Sequence, residues 1–171
     1  EFLKGTLARA QLVTPAATPE RIVIDYSSPN LAKSLHVGHL RSTVIGDATA
    51  RTLELLGHTV YRQNHIGDWG TPFGMLAAYL EGQNQSSNDL GDFDHFYALA
   101  SEQFENDPTF ADTARKFVVD LQSGKEAALT QWKQFIELSS SHMQRIYDQL
   151  NISLNPDHTR GESAYNNDLA Q

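Results

Sequence analysis

The chain has 171 residues, 40% of them apolar and 20% charged, an ordinary globular composition that excludes a disordered or collagen-like chain. There is no cysteine, which excludes a disulfide scaffold, a thiolate metal site and a cysteine nucleophile, and fits a reducing compartment. The net charge of −8 argues against nucleic acid, yet it is unevenly spread: residues 63–114 carry nine acidic side chains and no Lys or Arg, leaving thirteen basic against twelve acidic elsewhere.

In chain order, Phe2 to Leu12 reads as a helix and Thr14 to Pro19 as a Thr, Pro and Ala linker at a domain boundary. Arg21 to Tyr26 is a short, nearly continuous apolar run, the pattern of a strand buried on both faces. Pro29 stops it, and Ser27, Ser28 and Asn30 offer turn bonds. From about His39 to Leu56 the spacing is helical, with Leu40, Val44, Ala48, Ile45, Leu53 and Leu56 on one broad apolar face and Gly57 as the stop. Thr59 to Asn64 is a second strand, so the unit is βαβ, right-handed, with a parallel sheet. Residues 72–81 read as helix, and Gly82 to Asp92 as a polar loop. Asp107 and Pro108 are an N-cap and first-turn proline for a helix to Gln122. Lys125 to Leu150 is the longest helical pattern, striped by Leu129, Trp132, Phe135, Ile136, Met143, Ile146, Tyr147 and Leu150. The fold class is therefore α/β, a βαβ start followed by a mostly helical block. No apolar run reaches the length of about eighteen residues that a membrane span needs, and the opening from Glu1 has no signal-peptide pattern. We expect a piece of something longer.

The densest chemistry is Lys33-Ser34-Leu35-His36-Val37-Gly38-His39, between the first strand and its helix. In an open parallel sheet, ligands bind outside the carboxyl ends of the strands. A helix starting there aims free N–H groups and its positive dipole end at a phosphate. His36 and His39 can hydrogen-bond phosphate oxygens, more strongly if protonated; Gly38 leaves room for a flat base; Lys33 adds a mobile cation. The pattern fits a nucleoside triphosphate site working by position and charge. Alternatively the two histidines cap the helix; half a metal site is disfavoured, since no Glu follows in the zinc-protease arrangement. Asp25 ends an apolar strand, where a carboxylate needs a cation or donors; it faces a ligand or caps the turn through Ser27 or Ser28. Asn30 is a turn former or a recognition amide. In His65-Ile66-Gly67-Asp68-Trp69-Gly70, Trp69 reads as core and Asp68 as a cap for the helix near Pro72.

These motifs together resemble the arginyl-tRNA synthetase family. The resemblance rests on Asp25-Tyr26-Ser27-Ser28-Pro29-Asn30, Ala32-Lys33, His36-Val37-Gly38-His39-Leu40-Arg41-Ser42-Thr43, Ile45-Gly46-Asp47 and Asn64-His65-x-Gly67-Asp68-Trp69-Gly70. It continues through Leu121-Gln122-Ser123-Gly124 and Gly161-Glu162-Ser163, in the bacterial style. The His-x-Gly-His signature is common to class I aminoacyl-tRNA synthetases and some nucleotidyltransferases; the flanking motifs narrow it to the arginine enzyme. The resemblance implies a Rossmann-like, HUP-type nucleotide fold. Residues 1–21 would end an N-terminal tRNA-contacting domain and its linker, 22–81 would be the first half of the catalytic fold, and 82–171 an incomplete, mostly helical connective insertion.

The implied activity joins arginine to AMP from ATP, releases pyrophosphate and passes the arginyl group to the 3′ end of tRNA. By position, His36, Gly38, His39 and Lys33 would bind ATP, and His36, His39 and Lys33 would act in catalysis. Several members use a lysine here in place of one in a later loop. Asp25, Ser28, Asn30 and His39 would bind arginine, with Asp25 toward the guanidinium. ATP would be a substrate bringing its own Mg2+, with no resident metal. The partners would be arginine, ATP and tRNA, the last mainly through regions absent from this chain, in the cytoplasm and away from membranes. Two departures stand out. The family often has Glu where this chain has Asp25, and its Tyr-x-x-x-Asp segment is missing, Tyr165 being followed by Asp168 at another spacing. The rest of the nucleotide fold is expected after Gln171, so these residues alone are expected to be inactive. A different His-x-Gly-His nucleotidyltransferase and a non-catalytic, synthetase-derived binding module are the rival readings.

Overall fold

A computed structural model describes residues 13–33, 35–83, 93–166 and 168. The helix expected over Phe2 to Leu12 and most of the loop expected over Gly82 to Asp92 lie outside the described residues.

Strand β1 (Arg21–Asp25) runs parallel to β2 (Thr59–Ile66), in a register pairing Arg21 with Thr59 and Asp25 with Gln63. Helix α1 (Val37–Leu55) makes the crossover and ends where Leu56 and then Gly57, at φ 91°, turn the chain into β2. A third strand, β3 (Thr159–Gly161), pairs parallel with the far end of β2, giving the order β1-β2-β3. The sequence reading missed β3, because three residues between short turns carry no periodicity. The stretch 82–171, expected to be one mostly helical insertion, thus returns a strand to the sheet. A bridge between Asn30 and Gly67 extends the parallel pairing past the end of β1.

Between β2 and β3 lie helices α2 (Thr71–Gln83), α3 (Phe93–Asn106), α4 (Pro108–Gln122) and α5 (Glu126–Gln149). Helix α3 falls within the block expected to be mostly helical. Helix α4 begins as expected: the Asp107 carboxylate accepts from the N–H groups of Thr109 and Phe110, and Pro108 fills the first turn. The core sits where the helical block meets the carboxyl end of the sheet. Tyr26, Leu31, Ala32 and Ile66 pack there with Phe73, Leu76, Leu80, Phe135, Met143, Tyr147 and Leu154. A satellite cluster of Met75, Ala78, Ala100, Phe110 and Ala114 joins α2, α3 and α4.

Two expectations are corrected. Strand β1 is not buried on both faces; among the described residues it is an edge strand, its outward residues alternate with half-buried ones, and Val23 is 70% exposed. Helix α1 does not bury its broad apolar face either: Thr43, Gly46, Asp47 and Ala50 point inward, while Val44 and Ile45 are exposed. Gly46 decides this, since a Cβ there would overlap the Tyr26 ring, and its absence lets the tyrosine reach in. Tyr26 donates to the Asp47 carboxylate at 2.9 Å, which also accepts from the Ser153 N–H at 2.8 Å and from Arg51 Nε at 2.7 Å. Polar satisfaction, rather than apolar area, sets the rotation of α1.

Candidate functional site

The site starts from the N-terminus of α1, which is capped by the two motif histidines. His36 is the N-cap residue, and its Nδ1 accepts from the Gly38 N–H at 3.1 Å. His39, in the third helical position, turns its own Nδ1 back to accept from the His36 N–H at 3.3 Å. This is a capping box in which imidazoles replace the usual hydroxyl and carboxylate. The ring centroids lie 3.9 Å apart. An Nδ1 that accepts carries no proton, so each neutral ring holds its hydrogen on Nε2. Among the described residues neither Nε2 has a partner, and two N–H donors stand ready at a helix N-terminus. Capping and anion binding, alternatives in the sequence, are compatible in the fold.

Burial pushes the His39 pKa down, and the neighbouring His36 and Lys33 push it further. His39 is therefore a neutral donor at neutral pH, not the protonated partner that the sequence allowed. Gly38 also has a role inside the cap. A Cβ there would sit 2.9 Å from His36 Cε1, so the missing side chain makes room for the His36 ring. Lys33 is exposed, with its ammonium 4.8 Å from the centre of the Tyr97 ring on α3 and its backbone N–H donated to the Asn30 carbonyl.

The turn after β1 forms the second part. Ser27 and Ser28 have φ 76° and 49°, two consecutive non-glycine residues in left-handed conformation. A buried polar network holds them there. Ser27 Oγ lies 2.6 Å from Tyr147 Oη and 2.8 Å from Thr43 Oγ1; the Ser28 N–H donates to Asn64 Oδ1 at 2.9 Å; Asn64 Nδ2 donates to Tyr147 Oη. Such strain persists where surrounding contacts over-determine it, commonly at functional sites. Tyr147 reads in the sequence only as a core stripe residue; its hydroxyl finds partners more than 80 residues away in sequence. Thr43 also donates to the His39 carbonyl, so one network joins the turn to the histidine pair.

Asp25 does not stand without a partner. Ser28 Oγ donates to its Oδ1 at 3.2 Å, the turn cap, while His65 Nδ1 lies 2.7 Å from Oδ2. Its side chain is still 47% exposed. Asn30 bridges to Gly67, where a Cβ would collide with the asparagine amide oxygen. Asp68 is buried and does not cap α2. It accepts from the Ser163 N–H at 2.8 Å and from Ser163 Oγ at 2.6 Å, tying the turn after β3 to the end of β2. Trp69 packs edge-on to Trp132 and donates to Asn166. Among the described residues no three His, Cys, Asp or Glu side chains gather where a metal could be held.

A family model described as tRNA synthetases class I (R), catalytic domain, matches residues 3–171. The chain is 58% identical over 159 residues to an arginine–tRNA ligase of Alcanivorax borkumensis, covering 90% of this chain and 27% of that protein. With the arginine–tRNA ligase of Stutzerimonas stutzeri it shares 55% over 170 residues, covering 98% and 29%. Among solved structures, the arginyl-tRNA synthetase from Plasmodium falciparum superposes with a TM-score of 0.72 at 33% identity, covering 88% of this chain and 25% of that one. The Thermus thermophilus enzyme superposes at 0.70 with 24% identity, covering 94% and 26%, a likeness of fold. The chain spans less than a third of the length of these relatives.

Proposed function

Since the chain belongs to the class I tRNA synthetase (R) catalytic-domain family, we propose that the activity it serves is arginine–tRNA ligation, driven by ATP. The carboxylate of arginine attacks the α-phosphorus of ATP, an acyl–phosphate bond forms as the bond to pyrophosphate breaks, and arginyl-adenylate results. The 3′-terminal hydroxyl of tRNA then attacks the acyl carbon and AMP leaves. Mg2+ arrives with the nucleotide as part of that substrate. The observation that carries this reading is the way both histidines of the pair turn Nδ1 to the backbone. With Nδ1 of both rings spent on the backbone, Nε2 is the ring nitrogen each histidine has left to donate, at the N-terminus of α1 and the carboxyl end of β1.

Donors fixed in advance stabilise charge on the phosphates as it grows, without reorganising during the reaction. In this reading His36 and His39 are the catalytic donors, Gly38 gives the His36 ring its space, and Lys33 leaves Tyr97 to meet the phosphates. Asp25 takes the guanidinium, Ser28 and Asn30 position the main-chain groups of arginine, and His39 lies between the two substrates. The polar network under Ser27 and Ser28 supports the same reading, because it fixes the turn that carries both Asp25 and Ser28. Helices α3 to α5 are the family's connective insertion, and the return of β3 supports placing the resumed nucleotide fold at that strand. Contacts to tRNA come mainly from sequence outside these residues, and a cytoplasmic location follows from the reaction. No described helix is long and apolar enough to cross a membrane.

Pyrophosphate exchange into ATP by the complete gene product, measured with and without arginine and with tRNA present, tests the reaction. Exchange should depend on arginine. His36→Ala and His39→Ala should each lower kcat by about 10²–10³, the usual effect of losing such a donor. Exchange without arginine would point to another nucleotidyltransferase, and a near-normal kcat in both variants would remove the pair from the chemistry.

A further inference from the structure

One line of titratable side chains lies apart from the histidine pair, across the carboxyl end of the sheet. Asp25 Oδ2 is 2.7 Å from His65 Nδ1, and His65 Nε2 is 3.0 Å from Tyr165 Oη. The three come from the end of β1, the end of β2 and the 3₁₀ turn after β3 (Glu162–Tyr165). Asp68 secures that turn through its two bonds from Ser163, and the Arg160 guanidinium lies over the Tyr165 ring at 4.6 Å.

The direction of each bond follows from chemistry. A carboxylate only accepts, so His65 Nδ1 carries the hydrogen and donates to Asp25. In the tautomer with that hydrogen on Nδ1, Nε2 is a lone pair, which the Tyr165 O–H fills. Tyr165 thus selects the His65 tautomer, and His65 pins one carboxylate oxygen, while Ser28 holds the other at 3.2 Å. Ionised carboxylate oxygens offer about four lone-pair sites, so two remain for a cation.

We infer that His65 and Tyr165 are positioning residues that hold the Asp25 carboxylate in the orientation a substrate guanidinium needs, making them determinants of affinity for the amino acid. The inference rests on the reading of Asp25 as the guanidinium acceptor. A half-exposed carboxylate otherwise loses rotamer freedom on binding, and a two-point contact with a planar guanidinium tolerates little misorientation. With Asp25 oriented beforehand, that loss is taken in folding rather than in binding.

The test uses the complete gene product, with KM for arginine and for ATP measured separately. Tyr165→Phe and His65→Ala should each raise KM for arginine about 3–10-fold, the size expected for one bond to a half-exposed charge, with kcat and KM for ATP staying within about twofold. His65→Asn, whose amide N–H falls near the Nδ1 position, should recover most of the His65→Ala loss. In an Asp25→Asn background, His65→Ala should add nothing, because its effect runs through the carboxylate. Matched increases in both KM values, or a His65→Ala effect that survives in the Asp25→Asn background, overturn the inference while leaving Asp25 in place. An unchanged KM for arginine in Asp25→Asn alone removes the guanidinium reading and this inference with it.

Discussion

At the scale of single residues, one glycine and one carboxylate decide more than their size suggests. Gly46→Ala would place a methyl group into the Tyr26 ring, and overpacking of that kind costs about 1–3 kcal/mol. A urea melt should show that loss, and an unchanged midpoint would mean α1 shifts without strain. Asp47 carries a separate, pH-dependent contribution. Burial pushes its pKa up, but bonds from Ser153, Arg51 and Tyr26 outweigh burial and hold it below the ordinary 3.8. The folded state therefore binds this proton less readily than the unfolded chain does. The stabilisation is complete above the ordinary value and is lost as pH falls through the lower, folded one. Asp47→Asn should reduce stability at neutral pH by about 1–3 kcal/mol and flatten the acid side of the stability profile. Equal losses at neutral pH and at pH 2 would assign the effect to packing. The Tyr26 phenol, raised by burial and then by Asp47, stays protonated as the donor in this arrangement.

At the scale of elements, the side-chain N-caps of α1 and α4 do different work. Asp107 caps α4 with a carboxylate in the ordinary way, and Asp107→Ala should cost about 1 kcal/mol with no effect on substrate KM values. At α1 the cap uses the same imidazoles that we assign to catalysis. Gly38→Ala, by crowding the His36 ring, should therefore lower stability by about 0.5–2 kcal/mol and also lower kcat. Thermal melts paired with exchange assays separate the two helices, and a Gly38→Ala variant that loses stability but keeps kcat would uncouple cap from catalysis. The turn between β1 and α1 depends on α5, through Tyr147, so the helical block supports the turn from below.

At the scale of the molecule, charge and exposed apolar surface set what residues 1–171 do in isolation. The stretch 63–114, with nine acidic and no Lys or Arg side chains, repels a phosphate backbone, and the remainder is close to neutral. Filter binding at physiological salt should show only weak, non-specific binding of tRNA, and sub-micromolar affinity would refute this. Val23 on the edge strand and Val37 and Ile45 on α1 are 70%, 83% and 61% exposed. Together with the edge of β1, these exposed side chains favour self-association, which sedimentation velocity should detect as species heavier than a monomer. A monodisperse monomer at high concentration would show that this surface is harmless.

Local pattern and chemistry made much of this protein legible from its sequence. The βαβ start follows from a strand run, a helical period and a glycine stop; α4 follows from Asp107-Pro108; the role we propose for His36 and His39 at a phosphate starts from their place after a strand. Each is a signal carried by neighbours in the chain. What stayed hidden depends on groups far apart in sequence. The rotation of α1 is set by Tyr26 meeting Gly46 and Asp47, and the apolar spacing of the helix alone points to another face. The strained Ser27-Ser28 turn is held by Asn64 and Tyr147, and a hydroxyl's partner 120 residues away leaves no local mark. Strand β3 is three residues long, too short for a period, and exists because β2 offers an open edge. The Asp25–His65–Tyr165 line joins three separate segments at the sheet's carboxyl end. The sequence by itself determined which residue types were available and where β1, α1, β2, α2, α4 and α5 would form. Only the tertiary structure decided which side chains meet, because hydrogen-bond partners are matched across space once the core has brought the elements together.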